Sequence, residues 1–394
     1  MSLSWDWEDG DTEELAALRD LVRRFIDKEI APHHARWERE GQVSRELWRK
    51  AGDLGLLCMG LPAELGGSQA DFGHSAILVQ ELARSGFSGP LFHLHSEIVA
   101  PYLHHYGTPE QQQTWLPRMA RGEVISAIAM TEPGTGSDLA NISTRAKPQD
   151  GGYLIKGQKI FISNGQLADL VVVAAKTQPE LGARGVSLLL VDTSRPGFSR
   201  GRNLEKMGMH AQDTSELFFD DVWVPANCLL GQEGQGFAYL MSELPQERLL
   251  VAISAVGAME SGLRWTCEYV KERNAFGAPL ANKQVVRHAL AQAYGDVQVA
   301  RSFLKDSVKR HLRGELDTAT ASVAKFWTTE MQFSVLDRCV QLFGGYGYMT
   351  EYPIARAWAD ARVQRIYGGT TEIMKEIVAR HILDAPSQRK HHRA

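Results

Sequence analysis

Apolar residues recur at three- and four-residue spacing early in the chain. Leu15, Leu18, Leu21, Val22, Phe25 and Ile26 mark one face of an amphipathic helix. Ala76 to Ala83 and Ser96 to Tyr106 continue the helical style, punctuated by Gly66-Gly67, Gly86 and Thr108-Pro109. Pro109 after Thr108 suits the first turn of another helix. Near Ile125 the period changes. Tyr153-Leu-Ile, Lys159-Ile-Phe-Ile, Leu170-Val-Val-Val, Val186-Ser-Leu-Leu-Leu-Val and Glu216-Leu-Phe-Phe are short β-rich runs separated by Gly, Pro, Asn and Asp. They predict a small antiparallel sheet or barrel. Beyond Gly236 long helical patterns return, roughly over 237–274, 283–313, 318–343 and 370–383. Short connections between them predict a four-helix bundle. The expected architecture is a multi-domain α+β fold. Residues 1–124 form an N-terminal helical domain, 125–235 a middle β domain and 236–394 a C-terminal helical bundle domain.

A chain of 394 residues exceeds one ordinary core, so more than one domain is expected. At 44% hydrophobic and 23% charged residues, the composition is that of a globular protein. A net charge of −4 lacks the basic bias of nucleic-acid-binding proteins. Only the tail Arg389-Lys-His-His-Arg393 is locally basic, and it reads as a solvated terminus. Cys58, Cys228, Cys267 and Cys339 form no CxxC pair, which points to reduced thiols and away from a zinc site. The acidic start Met1-Ser-Leu-Ser-Trp-Asp-Trp has neither an apolar signal core nor an arginine-rich leader. No run is apolar for long enough to span a bilayer. A cytoplasmic location is expected; a matrix protein stripped of its presequence gives the same pattern.

No GxGxxG opens a strand–helix unit, and GxxxxGK[ST], GxSxG and HExxH are absent. The loop Ile128-Ala-Met-Thr-Glu-Pro-Gly-Thr-Gly-Ser-Asp138 exposes backbone N–H groups suited to an anionic or carbonyl-rich ligand. An ordinary Gly/Ser turn is the plainer reading. In Phe161-Ile-Ser-Asn164, strand alternation puts Phe161 and Ser163 on one face, able to offer a ring and a hydroxyl to one planar ligand. Arg273, in Lys271-Glu-Arg-Asn-Ala-Phe-Gly277, is either a surface charge at a helix end or a bidentate phosphate ligand. Glu247, in Leu244-Pro-Gln-Glu-Arg-Leu249, has Leu249, Leu250, Val251 and Ile253 as neighbours. An apolar setting raises a carboxyl pKa toward the range of a general base. The alternative for Glu247 is a solvated charge favoured near a helix start. Glu243, one helical turn before, makes a purely structural pair mildly repulsive. Arg248 offers a cation to orient a substrate or the base. His93, His95, His104 and His105 lie close together, but adjacent histidines on a helix point apart, so structural roles are expected and no metal site.

The segment Arg365-Ile-Tyr-Gly-Gly-Thr-Thr-Glu-Ile-Met374, with Gln341-Leu-Phe-Gly-Gly-Tyr-Gly-Tyr348 before it, resembles the C-terminal signature of the acyl-CoA dehydrogenase family. The loop at 128–138 is similar to that family's TEPxxGSD element, with Thr135 where alanine is usual, and Lys271–Gly277 to its RxxFG element. Matching elements run in order from roughly Phe25 to His381. The resemblance implies a helical–β–helical fold with bound FAD. It places Met130 and Thr131 against the flavin, Phe161 over its ring system, Ser163 in a hydrogen bond to it, and Ser137 at the CoA part of the substrate. Arg273, Phe276 and Gln284, with Gln341, Gly344 and Gly345, are implied to reach FAD held mainly by another subunit. Thr370 and Glu372 also match FAD-contacting positions. A homo-oligomer, a dimer or a dimer of dimers, follows from that sharing.

In most of the family the position of Gly368 is a glutamate, the base for the α-proton; the long-chain branch has glycine there and its base in the segment of Glu247. Both halves of that exchange are present. The resemblance therefore implies an active enzyme. Glu247 removes the α-proton of an acyl-CoA, a hydride passes from the β-carbon to flavin N5, and a trans-2-enoyl-CoA results. The Gly368 N–H remains as a donor to the thioester oxygen, with Gly369 and Arg248 beside it. Electrons are expected to pass to an electron-transferring flavoprotein. Rival readings are the same chemistry on an acyl carrier protein, a flavin oxidase or oxygenase, and a non-enzymatic helical interaction protein. Ser88-Gly-Pro-Leu-Phe-His-Leu-His-Ser96 resembles the long-chain pocket segment, with Leu91 in place of a glycine. A side chain there is expected to shorten the acyl cavity.

Overall fold

The computed structural model describes residues 12–384; the acidic N-terminal run and the basic tail lie outside them. The first region is helical, as its periodicity predicts. It comprises α1 (Glu13–Phe25), α2 (Ala31–Glu40), α3 (Arg45–Asp53), α4 (Phe72–Ser85), α5 (Ala100–Tyr106) and α6 (Pro109–Ala120). Wider π-helical turns, Ile26–Ile30 and Leu94–Val99, lead into α2 and α5. On α1 only Val22 and Phe25 of the predicted stripe are buried, while Leu15, Leu18 and Leu21 are half-buried. The start of α6 is specified locally. Thr108 caps it, Gln111 closes a reciprocal capping box and Pro109 occupies the first turn.

The middle region contains β1 (Ser126–Ala129), β2 (Arg145–Gln149), β3 (Gly152–Ser163), β4 (Leu170–Lys176), β5 (Val186–Asp192), β6 (Phe198–Asn203), β7 (Thr214–Pro225) and β8 (Leu229–Leu230). Two of the predicted runs, at 153 and 159, are one twelve-residue strand, β3. The sheet order is β6-β7-β3-β2-β4-β5-β8, with β1 added to β4. The expectation of a purely antiparallel sheet is corrected: β1 and β2 both pair with β4 in parallel. The reason is visible in β4, which is buried along its whole length. Leu170, Val172 and Ala174 enter a core shared with the helices, and Val171, Val173 and Ala175 enter the core between strands. A strand covered on both faces carries a continuous apolar run, which conceals its direction of pairing.

The last region holds α7 (Gly236–Glu272), a short hairpin of β9 (Asn274–Ala275) and β10 (Ala278–Pro279), then α8 (Gln284–Leu312), α9 (Thr318–Phe343), α10 (Pro353–Gln364) and α11 (Thr371–Asp384). Five helices are therefore described where four were expected. The missing one is α10, whose buried Ile354, Ala357 and Ala361 have helical spacing but are mostly small. Pro245 lies inside α7, not near its start, and cannot donate to the carbonyl of Met241 one turn before. The helix packs against α4, α8, α9 and α10, which makes it the spine of this region. Among the described residues no helix is long and apolar enough to cross a membrane.

Candidate active site

Two helices meet at Glu247 through a repeated pair of contacts. On α5, Tyr102 and Tyr106 stand one turn apart; on α7, Glu243 and Glu247 do the same. The Tyr102 hydroxyl donates to Glu247 Oε1 at 2.9 Å, and the Tyr106 hydroxyl donates to Glu243 Oε1 at 2.8 Å. His105 adds a second contact to Glu243 at 2.9 Å. Glu247 is buried, only 5% exposed. Burial pushes its carboxyl from 4.5 up to about 7; the Tyr102 hydrogen bond and Arg248 oppose that rise, and Glu243 adds to it. Beside it Arg248 is also buried; its Nη1 reaches Ser322 Oγ at 3.4 Å, while its Nε has no partner among the described residues.

The loop after α10 comes over this face of α7. A Cβ built on Gly368 would lie 3.7 Å from Val251 Cγ2, and Val251 is one turn beyond Glu247. Gly368 and Gly369 have φ of +63° and +97°, the left-handed region that glycine tolerates best. A Cβ on Gly369 would come within 2.5 Å of Met374 Cε, so the end of that methionine would have to move. The loop is held from below by Lys325, a fully buried lysine whose ammonium donates to the Gly369 carbonyl at 2.7 Å. Burial, with the nearby Arg248 charge, pushes Lys325 down to about 8.

The glycine-rich loop is anchored by a charge, which sequence reading missed. The Glu132 carboxylate accepts from Ser143 N at 2.6 Å, Thr144 N at 2.9 Å and the buried Lys159 Nζ at 2.9 Å. Lys159 pulls Glu132 down to about 2 with those hydrogen bonds, against the effect of burial. Lys159 also donates to the Met130 carbonyl at 2.8 Å, and Ile160 N donates to the Thr131 carbonyl at 3.0 Å. Met130 and Thr131 are thereby brought beside Phe161. The ring of Phe161 is 64% exposed, although it belongs to a central strand. Simple alternation is not what turns it outward: the ladder with β7 shifts register between Lys159 and Ile162, and Phe161 sits at φ +61°. Ser163 is half-buried two residues on, and Ser137 is exposed on the loop.

A second cluster lies at the far end of α7. The hairpin tip Phe276-Gly277 has positive φ at both residues, 52° and 76°, the geometry of a tight two-residue turn. It leaves Phe276 96% exposed. The Arg273 guanidinium lies 5.7 Å from the Tyr346 ring, and Tyr269 stacks on Phe343 at 4.1 Å. These contacts hold Arg273 next to the segment of Gln341, Gly344 and Gly345. Gln284, at the start of α8, is exposed as well, and neither glycine has a neighbour within 4 Å of a built Cβ. Thr370 accepts from Ile373 N at 3.4 Å at the start of α11, and Glu372 is exposed there. His95 is spoken for structurally: its ring contacts the Met119 carbonyl at 3.1 Å and Ser126 Oγ at 2.9 Å.

A cleft of about 700 Å³, its open mouth included, lies between α4, α7, α9 and α10, with Tyr367, the neighbour of Gly368, in its lining. Leu91 lines it, together with Ser254, Ala258 and Trp265 on the face of α7 that also carries Glu247.

Family models named "Acyl-CoA dehydrogenase, N-terminal domain", "middle domain" and "C-terminal domain" match residues 12–123, 127–222 and 234–383. The chain belongs to the acyl-CoA dehydrogenase family. It is 51% identical to the mitochondrial long-chain specific acyl-CoA dehydrogenase of Mus musculus over 93% of this chain and 86% of that one. An acyl-CoA dehydrogenase structure from Geobacillus kaustophilus superposes with a TM-score of 0.93 at 48% identity, covering 95% and 99% of the two chains. Butyryl-CoA dehydrogenase of Megasphaera elsdenii superposes at 0.89 with 32% identity, covering 95% and 99%. As an acyl-CoA dehydrogenase-family protein, the chain is an oxidoreductase, and members of this family are flavoproteins. Tyr102, Lys325, Glu132 and Lys159 are the buried polar residues of the candidate site that motif reading did not reveal. Each acts on a partner that is not beside it in sequence, so no local pattern announces it.

Proposed function

We propose that this chain dehydrogenates an acyl-CoA to the trans-2-enoyl-CoA, with Glu247 as the base that takes the α-proton. The observation that carries this is a buried carboxylate, which burial pushes up to about 7, one helical turn before the Val251 that meets the Gly368 loop and on the face of α7 that lines the cleft further along. A base poised near working pH gains both occupancy of its carboxylate form and driving force for proton transfer. The backbone N–H of Gly368 and the Nε of Arg248, buried without a partner among the described residues, would be the donors to the charge gathering on the thioester oxygen. Lys325 fixes that loop through the Gly369 carbonyl.

The residues fit FAD. An exposed aromatic ring in left-handed backbone beside the Met130–Thr131 loop is a surface that a planar ligand would cover. Met130, Thr131, Phe161 and Ser163 would hold the ring system; Arg273 and Gln284, with the open backbone of Gly344 and Gly345, would hold the phosphate end; Thr370 and Glu372 would complete it. Bound FAD supplies the acceptor for the β-hydride. The exposure of Arg273, Phe276 and Gln284, which face no flavin-ring residue of their own chain, supports a second subunit completing the site in a dimer or dimer of dimers. An electron-transferring flavoprotein is the proposed electron acceptor, Ser137 the proposed CoA contact, and a cytoplasmic or matrix compartment the proposed location. Domain boundaries are proposed at 124/125 and 235/236, between α6 and β1 and just before α7.

The reading is tested by incubating the FAD-loaded protein with acyl-CoAs from butanoyl to octadecanoyl and an artificial electron acceptor. Enoyl-CoA formation is expected, and its absence across the panel overturns the proposal. Leu91→Gly is expected to move the preferred chain length upward with little change for short thioesters. A variant profile that overlays the parent's would remove Leu91 from the tail's path.

Activity should rise with pH through about 7, because only the ionised Glu247 accepts a proton. Its stability contribution runs the other way. The folded pKa lies above the ordinary 4.5, so the stabilisation is complete below 4.5 and is lost as pH rises through about 7. Tyr102→Phe removes the hydrogen bond that opposes the rise, so the ascending limb of log kcat/KM should move to higher pH. An unmoved limb would separate Tyr102 from the titrating group.

A further inference from the structure

The far end of the acyl cleft is not the uniformly apolar tunnel that an alkyl tail prefers. Val79, Leu82 and Trp265 line it, but so do Ser88, His93, Gln332 and Asp360. Gln332 is 98% buried by the measure of its 2% exposure, and its Oε1 has no hydrogen-bond partner among the described residues. Ser88 Oγ is likewise buried without a well-aligned partner; burial pushes the neighbouring Asp360 up to about 6, against the Met209 and Ser88 contacts, so that it is still ionised at neutral pH. Burial holds His93 neutral, its pKa pushed down to about 4, so its ring keeps one donor and one acceptor. Asp360 accepts from the Met209 N–H.

The depth of this cluster follows from helix register. Arg248 on α7 reaches Ser322 on α9, and further along a Cβ on Gly262 would strike Leu336. The interval between the two contacts is the same on both helices, so α7 and α9 run parallel in step, and Gln332 is level with Ala258. At the helical rise, that level lies roughly 15 Å beyond Arg248. The polar groups therefore face the tail of the acyl group and not its thioester.

A methylene chain packed against Gln332 Oε1 and Ser88 Oγ would strip them of water and give no hydrogen bond in return. A hydroxyl in the tail would donate to Gln332 Oε1 and accept from His93 or Ser88. A terminal carboxylate would meet the Asp360 charge. We infer that the deep end of the cleft selects an acyl-CoA with a neutral hydroxyl-bearing tail, with Gln332 as the specificity-determining residue. The inference builds on the dehydrogenase reading above and names its substrate class.

The test uses the FAD-loaded enzyme with saturated acyl-CoAs from octanoyl to hexadecanoyl, their ω-hydroxy derivatives and the matching ω-carboxy derivatives. Both kcat/KM and calorimetric binding are measured. At the favoured length the ω-hydroxy thioester should exceed the plain one by about tenfold, the size of one net hydrogen bond, and the ω-carboxy thioester should be the poorest. Gln332→Leu should abolish the hydroxy preference and improve the plain thioester, and His93→Leu should do the same in part. Plain thioesters that bind and react as well as hydroxylated ones, with the ratio unmoved in both variants, would overturn the inference while leaving dehydrogenation intact. Should no thioester turn over, the dehydrogenase reading fails instead. Calorimetry then still decides the tail preference, and hydroxylated thioesters that bind no tighter than plain ones overturn it.

Discussion

Glu247→Gln is expected to retain FAD and bind acyl-CoA while losing about a thousandfold in turnover. Glutamine keeps the size of the side chain, and its carbonyl can still accept the Tyr102 hydroxyl that bonds Glu247 at 2.9 Å. What it cannot do is take a proton. Steady-state assay with an artificial acceptor measures the loss, and the visible flavin spectrum shows that the site is still assembled. Glu243 is held away by Tyr106 and His105, and Glu372 is exposed at the start of α11. Turnover close to parental would transfer the role to one of them.

Arg273→Ala is expected to weaken FAD binding roughly ten- to hundredfold, the loss of charged hydrogen bonds from a guanidinium fork. Within its own chain the Arg273 side chain has little to do: it lies 5.7 Å from the Tyr346 ring and is otherwise exposed. Phe276, three residues on and 96% exposed, presents an apolar ring to solvent that a second copy would cover. The two therefore support one claim, that the phosphate end of the flavin is finished across a subunit boundary. Titration of the apoprotein with FAD gives the affinity, and light scattering gives the mass. Native protein that is monomeric and binds FAD as tightly as the Arg273 variant would contradict both parts.

The long helices were legible because their apolar period persists over many turns, and the cap at Thr108 because its partners are local. α10 was missed for the opposite reason. It is a short helix, and two of its buried positions, Ala357 and Ala361, carry small side chains. Pairing direction in the sheet escaped because β4 is buried on both faces and so carries no alternation. At the site, sequence motifs drew attention to Glu247, Gly368, Phe161 and Arg273, and the fold brings the first two together on one face of α7. Tyr102, Lys325 and the Lys159–Glu132 pair stayed hidden. They are buried polar residues whose partners come from other elements, and a single sequence holds no record of such pairings. The outward turn of Phe161 comes from a bulge with positive φ and not from the pleat, so strand alternation does not reveal it.

The carboxylate on α7 is proposed to do the work that other family members assign to the position of Gly368. A Cβ at Gly368 points to within 3.7 Å of Val251 Cγ2, one turn from Glu247, so a glutamate there is expected to stand over the same face of α7. Its left-handed backbone makes that glutamate strained by about 1–2 kcal/mol, which predicts incomplete function. Anaerobic stopped-flow bleaching of the flavin by acyl-CoA decides the matter, compared across the parent, Glu247→Gln, and Glu247→Thr combined with Gly368→Glu. Fast bleaching is expected in the parent, a rate about a thousandfold lower in Glu247→Gln, and partial recovery in the double exchange. Near-parental bleaching by Glu247→Gln would contradict it.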